Sequence, residues 1–320
     1  MFKFILKRIA LMFPLMIVVS FMTFLLTYIT NENPAVTILH AQGTPNVTPE
    51  LIAETNEKYG FNDPLLIQYK NWLLEAMQFN FGTSYITGDP VAERIGPAFM
   101  NTLKLTIISS VMVMITSIIL GVVSALKRGK FTDRAIRSVA FFLTALPSYW
   151  IASILIIYVS VKLNILPTSG LTGPESYILP VIVITIAYAG IYFRNVRRSM
   201  VEQLNEDYVL YLRASGVKSI ILMLHVLRNA LQVAVSIFCM SIPMIMGGLV
   251  VIEYIFAWPG LGQLSLKAIL EHDFPVIQAY VLIVAVLFIV FNTLADIINA
   301  LLNPRLREGH DDNFKTIITR

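Results

Sequence analysis

Residues 103–126 read LKLTIISSVMVMITSIILGVVSAL, and Lys104 is the one charged side chain among them. An α-helix rises about 1.5 Å per residue, so about 20 apolar residues cross the roughly 30 Å hydrocarbon core of a bilayer. The backbone groups of such a helix satisfy one another, as a lipid environment requires. This stretch therefore predicts a transmembrane helix.

Five further stretches share this character, because they are nearly free of charge and long: residues 9–29, 138–163, 177–193, 230–252 and 276–302. The composition agrees, since 56% of the 320 residues are apolar and 14% are charged, against about half and about a quarter in soluble proteins. We therefore expect an all-α integral membrane protein with six transmembrane helices. The fourth stretch is the shortest. It should continue as helix into residues 194–203, or alternatively it is re-entrant.

Basic residues are distributed unevenly among the connections. Lys and Arg number three before the first stretch, five in 127–137, six in 194–228 and four after residue 302, whereas the other three connections hold four in all. Since cytoplasmic connections are enriched in Lys and Arg, both the N and the C terminus are predicted to be cytoplasmic. Segment 31–100 carries three basic and eight acidic residues, so it should lie outside.

The predicted organisation has four parts: an N-terminal anchor helix (1–30), an extracytoplasmic segment (31–100), a five-helix transmembrane core (101–307) with a cytoplasmic loop at about 200–228, and a polar C-terminal tail (308–320). Within the extracytoplasmic segment, Thr48 favours the start of a helix and Gly60 its end. A second, amphipathic helix is predicted over 64–79 from its apolar spacing.

A patterned loop links the fourth and fifth stretches. Asn205 can cap a helix whose first turn carries Glu206 and Asp207, where negative charge meets the positive end of the helix dipole. Gly216 suits a left-handed helix end, and a second helical piece over 219–227 should lead into the fifth stretch. The short helix is either an ordinary interfacial helix or a docking element for a soluble partner.

The end of the fifth stretch should turn sharply. Pro259 cannot continue a helix, and Gly260 and Gly262 tolerate positive φ. Trp258 suits the headgroup layer. Glu253 lies close to the interface and is expected to hydrogen-bond the amides near the turn.

The fifth stretch is also predicted to line a pathway. Met240 and Met244 precede Gly247 and Gly248, and glycines allow close approach of a neighbouring helix. The methionines are expected to act as adaptable packing rather than as metal ligands. In the sixth stretch, Asp296 is a deep carboxylate, and such residues are functional candidates by default. Pairing with an Arg or capping a neighbouring helix is its expected role.

Sequence signatures of enzymes are missing. The Gly129–Lys130 pair lacks the first glycine and the Ser or Thr of a phosphate-binding loop, and no nucleophile elbow, His-Glu-x-x-His pair or dinucleotide fingerprint occurs. A single cysteine excludes a multi-thiolate metal site. We therefore expect no enzyme, no metal site and no nucleic-acid partner.

Three ordered sets of motifs resemble the permease subunits of ABC importers of the dipeptide, oligopeptide and nickel class. The first lies in the cytoplasmic loop: Glu206-Asp207-Tyr208-Val209, Arg213-Ala214-Ser215-Gly216 and His225-Val226-Leu227-Arg228-Asn229-Ala230. The second follows the fifth stretch: Gly247-Gly248, Glu253, Phe256, Trp258-Pro259-Gly260-Leu261-Gly262 and Asp273-Phe274-Pro275-Val276-Ile277-Gln278. The third is Asp296, Asn299 and Asn303-Pro304-Arg305, and the likeness extends to Lys7-Arg8 and Phe81-Gly82-Thr83-Ser84.

The resemblance covers residues 1 to about 307 and implies a type I ABC importer-like permease fold. It implies that the loop forms a coupling helix seated in a groove of an ATP-binding subunit, although Leu212 stands where these loops usually have Ala. The implied partners are a second, homologous permease subunit, two cytoplasmic ATP-binding subunits that hold ATP and Mg, and an extracytoplasmic solute-binding protein. This chain itself would bind no cofactor.

The sequence predicts the substrate less specifically than it predicts the family. Segments 164–176, 256–260 and 273–278 look more like the nickel or metal-chelate branch, with a small peptide as the close second. A competing class is an ion-coupled secondary transporter acting without an ATPase, which would show inverted repeats and several buried charges. A third is a membrane-anchored scaffold whose working part is segment 31–100.

Overall fold

The structure is a computed structural model that describes residues 2–29, 33–239 and 242–302. These residues form thirteen α-helices and no β-strand, so the predicted helical class is confirmed. The helices are α1 Phe2–Ile29, α2 Pro34–Ala41, α3 Pro49–Tyr59, α4 Leu65–Ala76, α5 Val91–Leu126, α6 Phe131–Ala145, α7 Ser148–Leu155, α8 Ile178–Leu204, α9 Asp207–Ala214, α10 Ser219–Cys239, α11 Ile242–Ile255, α12 Leu261–Leu270 and α13 Phe274–Leu302.

Three described helical segments are long and apolar enough to cross a membrane: Val91–Leu126, Pro174–Leu204 and Phe274–Ala295. The described apolar parts of α1 and α11 are shorter, and the predicted fifth stretch is distributed over α10 and α11. Six spans and two cytoplasmic termini therefore stay predictions. The continuation of the fourth stretch into residues 194–203 is confirmed, because α8 is one uninterrupted helix.

The predicted third span is bent rather than straight. α6 ends at Ala145, and the segment Ser148–Lys162, which closes with a π-helical turn, leaves it at 96°. Leu146 has the extended backbone angles φ −81° and ψ 137°, because the ring of Pro147 disfavours a helical conformation in the residue before it. Pro147 also supplies no N–H to continue the ladder.

The described residues divide into two compact units. The first consists of residues 103–258 and 291–302, and the second of residues 2–102 and 259–290. In the first unit, glycines allow close helix packing: a Cβ on Gly190 of α8 would overlap the Thr144 hydroxyl of α6, and one on Gly121 of α5 would lie 2.6 Å from the Val196 side chain of α8. Small residues at helix crossings permit this approach.

The second unit contains both predicted extracytoplasmic helices. Thr48 Oγ1 accepts the Leu51 N–H at 3.4 Å, and Gly60 ends α3 with φ 69°, as predicted. The amphipathic helix α4 is shorter than predicted, because Met77 caps it and Phe79 has φ 61°. Val91 of α5 and side chains of α12 and α13 complete the core of this unit.

Candidate functional site

The loop between α8 and α10 is built around the short helix α9. Because α8 continues to Leu204, Asn205 closes that helix with φ −96° and ψ 0° and cannot take the extended backbone of an N-cap. The predicted Asn205 cap is therefore wrong, and Glu206 occupies that position with φ −73° and ψ 148°. Asp207 lies in the first turn of α9, as predicted, where it meets the positive end of the helix dipole.

The C-terminal end of α9 is a complete Schellman motif. The Val217 N–H donates to the Leu212 carbonyl and the Gly216 N–H donates to the Arg213 carbonyl, both at 3.1 Å. Gly216 has φ 73°, as predicted. A Cβ at this position would meet no atom within 4 Å. The left-handed backbone, and not crowding within this chain, is what favours glycine here.

The two faces of α9 differ in exposure. Val209 is 2% exposed and packs in a cluster with Leu222 of α10, and the half-buried Leu212 contacts the same cluster. Leu210 and Tyr211 are each 71% exposed. The departure from Ala at position 212 therefore faces the chain's own core and leaves the exposed face unaltered.

The other predicted loop residues lie around this helix and the start of α10. Tyr208 is half-buried and its hydroxyl donates to Gln203 Oε1 at 3.0 Å, and Asn229 is also half-buried. The remaining ones are exposed: Glu206, Asp207, Arg213, Ala214, Ser215, Gly216, His225 and Arg228. Eight of the ten predicted loop residues are therefore exposed, along α9, its C-terminal turn and the first half of α10.

A buried ionic cluster fixes α8 just before this loop. The Asp133 carboxylate, 1% exposed, accepts two hydrogen bonds from the Arg197 guanidinium, Nε to Oδ1 and Nη2 to Oδ2, each at 2.9 Å. It also accepts the Ser124 hydroxyl at 2.6 Å and the Gly129 N–H at 3.0 Å, while Arg137 Nε lies 3.3 Å away. One carboxylate therefore joins the C-terminal end of α5, the first turn of α6 and the C-terminal half of α8.

The Asp133 cluster was missed in the sequence. Bonds from Arg197 hold the pKa of the Asp133 carboxyl well below its usual range, because they stabilise the charged form more than burial disfavours it. Arg197 and Asp133 are 64 residues apart. Each lies in a connection predicted to be cytoplasmic, where a charged residue is expected and suggests no specific partner. A single sequence carries no signal that pairs them.

Two neighbouring glycines of the fifth stretch have separate roles. A Cβ on Gly248 of α11 would overlap the Tyr188 hydroxyl of α8, whereas one on Gly247 would meet no atom within 4 Å. Met244 is 65% exposed, and its carbonyl accepts from the Tyr188 hydroxyl at 3.4 Å. Gly248 therefore closes a contact within the chain, while Gly247 and Met244 stay open to a neighbour.

The turn after α11 differs from its prediction. Trp258 is fully buried, with its ring edge-on to Tyr177 at 4.6 Å between centroids, and its placement at the depth of the headgroup layer stays a prediction. Positive φ occurs at Ala257 (45°), whereas Gly260 has φ −110° and Gly262 lies inside α12. The turn is made before the proline because the Trp258 N–H donates to the carbonyl of Glu253 at 2.8 Å.

Two other predicted positions in this region are placed by the structure. Glu253 is fully buried, and its side-chain bonding to the amides of the turn stays a prediction. Pro259 is exposed, and its carbonyl accepts from Asn101 Nδ2 at 2.9 Å.

Two motifs that are distant in sequence meet at one carboxylate in the second unit. Asp273 Oδ2 accepts the Ser84 hydroxyl at 2.5 Å, and Asp273 Oδ1 accepts the Tyr85 N–H at 3.0 Å. The Arg94 guanidinium lies 3.7 Å from the same carboxylate and donates to the Ser84 hydroxyl oxygen at 3.1 Å. The stretches around 81–84 and 273–278 therefore form one polar cluster.

Some predicted positions fall outside the described residues. These are Met240, residues 303–305 and the polar tail 308–320. Asp296 belongs to α13, but its side chain is not among those described.

Residues 117–308 match the family described as the binding-protein-dependent transport system inner membrane component, and residues 1–109 match the N-terminal family of such membrane components. The chain belongs to this family. The metal-staphylopine import system permease protein CntB of Staphylococcus aureus (strain Mu50) is 99% identical over 97% of this permease and 99% of its own length. The oligopeptide transport system permease protein AppB of Bacillus subtilis (strain 168) is 35% identical, over 96% and 99%.

Other similar proteins agree with this assignment. The glutathione transport system permease protein GsiC of Escherichia coli (strain K12) is 33% identical over 96% of this permease and 99% of its own length. Among solved structures, the inward-facing MetNI methionine ABC transporter matches with a TM-score of 0.56 at 17% identity, over 65% of this permease and 96% of that chain. The predicted type I importer fold is therefore confirmed.

The family fixes the general role of the permease. It is a multi-pass protein of the cell membrane and the permease subunit of an ABC importer. It is not an enzyme, since ATP hydrolysis resides in separate subunits of such transporters. Importers of this class combine permeases with ATPase subunits and a binding protein. The ion-coupled alternative finds no support in this family.

Proposed function

We propose that this permease forms half of the translocation pathway for a metal chelate of the opine type. The observation that carries the proposal is its 99% identity to a metal-staphylopine import permease. Among the described residues no group of three or more His, Cys, Asp or Glu side chains could hold a metal ion. The chelator, rather than the permease, therefore supplies the metal ligands in this proposal.

Uptake of radioactive nickel tests the substrate. Cells with and without this gene receive ⁶³Ni²⁺ alone, ⁶³Ni²⁺ with staphylopine, or a labelled dipeptide or oligopeptide. We expect gene-dependent uptake only with the chelator. Peptide import is the second candidate, favoured by the 35% identity to an oligopeptide permease. Gene-dependent peptide uptake without nickel uptake would replace the first proposal by the second.

The proposed partners are a homologous permease, two cytoplasmic ATP-binding subunits carrying ATP and Mg, and an extracytoplasmic binding protein. In this proposal α9 is the coupling helix, and its exposed Leu210 and Tyr211 enter the groove of an ATP-binding subunit. The packed face supports this role, because Val209 joins α9 to α10. A displacement of α9 is then transmitted to α10 through this packed contact, which a flexible loop would not do.

Gly216 offers a matched pair of variants for the coupling proposal. Gly216→Val forces a β-branched residue into a left-handed backbone, at a cost of roughly 1–2 kcal/mol, whereas Gly216→Asn is tolerated there. We expect Gly216→Val to lower chelate uptake several-fold while ATP hydrolysis by the purified importer continues. Gly216→Asn should stay close to wild type. Equal uptake by both variants would refute the docking role of this loop.

The sidedness of the loop can be measured with cysteine labelling. A Cys239→Ser background removes the single native thiol, and Lys218→Cys then reports the exposed residue after the α9 turn. We expect a membrane-impermeant maleimide to label it only in permeabilised cells. Labelling in intact cells would place the loop outside and contradict the proposed topology.

A further inference from the structure

A half-open cavity of about 540 Å³ lies within the second unit. This volume falls in the range of small-molecule sites. Aromatic rings form much of its wall, and the three most deeply buried of them are Phe24, Phe81 and Phe274, each 6–7% exposed. Such rings offer both apolar surface and π faces that attract cations.

Two buried polar atoms of lining residues lack hydrogen-bond partners in the described part of the chain. They are the Trp72 Nε1–H, a donor, and Asn56 Oδ1, an acceptor. Buried polar groups are normally satisfied, and both atoms are covered by neighbouring atoms, so a ligand reaches them only once the Trp72 and Asn56 side chains turn towards the cavity. A ligand bearing both a donor and an acceptor would satisfy them.

The charge of the wall selects the kind of ligand. Asp63 and Glu75 line the cavity as exposed residues, and no Lys, Arg or His is found among its described lining residues. Neither carboxylate takes part in an ion pair with a described residue.

We propose that this cavity is a binding site for a small organic cation, namely an ammonium group on an aromatic or apolar body that also carries a hydroxyl or carbonyl oxygen. The carboxylates of Asp63 and Glu75 attract the ammonium group, and the aromatic wall receives the body. Once the Trp72 ring turns towards the cavity, its Nε1–H donates to the oxygen. This site goes beyond the import role, which assigns no ligand to the second unit.

Binding of three matched probes tests the proposal. Tyramine, 4-ethylphenol and 3-(4-hydroxyphenyl)propanoate share one phenol frame and carry a cation, no charge or an anion. The full importer is reconstituted in nanodiscs of phosphatidylglycerol, and binding is followed by equilibrium dialysis. We expect tyramine to bind at least about tenfold more tightly than 4-ethylphenol, equivalent to about 1.4 kcal/mol. The anion should bind most weakly.

Variants separate local from general charge effects. Asp63→Asn combined with Glu75→Gln should weaken tyramine binding about tenfold. Glu54→Gln combined with Glu57→Gln removes the same charge from exposed positions of α3 that do not line the cavity, and should leave binding unchanged. Trp72→Phe should also weaken binding, because it removes the donor and keeps a ring.

Each outcome bears on the proposal. No saturable tyramine binding, equal binding of tyramine and 4-ethylphenol, or an equal effect of the two double variants would overturn it. Tyramine binding is also compared in nanodiscs with and without phosphatidylethanolamine. Weaker binding with this lipid would show that the site takes a headgroup ammonium, and unchanged binding would show that it takes a free cation. None of these measurements involves transport, so their failure would leave the import proposal intact.

Discussion

Removing Arg197 should destabilise the permease far more than removing its neighbour Arg198. Arg197 is 21% exposed and makes two charge-assisted hydrogen bonds to the buried Asp133. Loss of one partner of a buried ion pair typically costs 3–5 kcal/mol. Arg137 stays 3.3 Å from the carboxylate, so we place Arg197→Met at the lower end, about 3 kcal/mol.

The matched control is Arg198→Met on the next residue of the same helix. Arg198 pairs with Glu202 at 2.8 Å, but both side chains are exposed, 80% and 56%. Exposed pairs contribute little, so this variant should leave stability unchanged. Melting of the purified importer, followed by tryptophan fluorescence, should show a fall of about 6–12 °C for Arg197→Met, at about 2–4 °C per kcal/mol.

A double variant separates the pair from general effects of either residue. Asp133→Asn with Arg197→Met leaves neither charge buried without its partner, so its destabilisation should be smaller than the sum of the single losses. Equal melting temperatures of Arg197→Met and Arg198→Met, or fully additive losses in the double variant, would refute the assignment of a stabilising buried cluster.

Three further predictions follow from described contacts. Because the pKa of Asp133 is lowered by folding, the ionised carboxylate stabilises the folded permease fully above its unfolded pKa of about 3.9, and this stabilisation is lost as pH falls towards the folded pKa. The fall in melting temperature from pH 5 to pH 3 should therefore be smaller in Asp133→Asn than in wild type. Gly248→Ala should destabilise by about 1–3 kcal/mol through overlap with the Tyr188 hydroxyl, with partial rescue by Tyr188→Phe, whereas Gly247→Ala should not lower the melting temperature. Asp273→Asn, which weakens the bonds to segment 81–94, should raise the rate of proteolysis in that segment, and an unchanged rate would contradict the role of this carboxylate.

Hydropathy and charge predicted the helical class and the membrane location, because both depend on local composition. Local helix signals also worked where the deciding groups are close in sequence, as at Thr48, Gly60 and Gly216. Composition could not reveal the bend at Pro147, since Pro97 lies inside the unbroken helix α5. Whether a proline ends a helix depends on the packing around it.

The sequence analysis did not find contacts between distant segments of the chain, and one local helix boundary was also wrong. Trp258 is typical of an interface residue by type and place in the sequence, but neither predicts the contact of its ring with Tyr177. Asn205 is a residue type that favours an N-cap, but α8 continues to Leu204 and Asn205 is its C-cap. Nothing in the sequence around Asp133 or Arg197 predicts that the two form an ion pair. For Trp258 and Asp133 the contact comes from a distant segment of the chain, whereas the Asn205 prediction failed locally, on the point where α8 ends.

The bonds from Ser84 and Tyr85 to the Asp273 carboxylate can form only late in translation. Ser84 and Asp273 are separated by 189 residues, and chains are made at about 5–20 residues per second. Roughly 10–40 s therefore pass between the emergence of the first group and that of its acceptor. During that interval Ser84 has only its partners from nearby in the sequence, such as Arg94, and the bonds of Ser84 and Tyr85 to Asp273 cannot form.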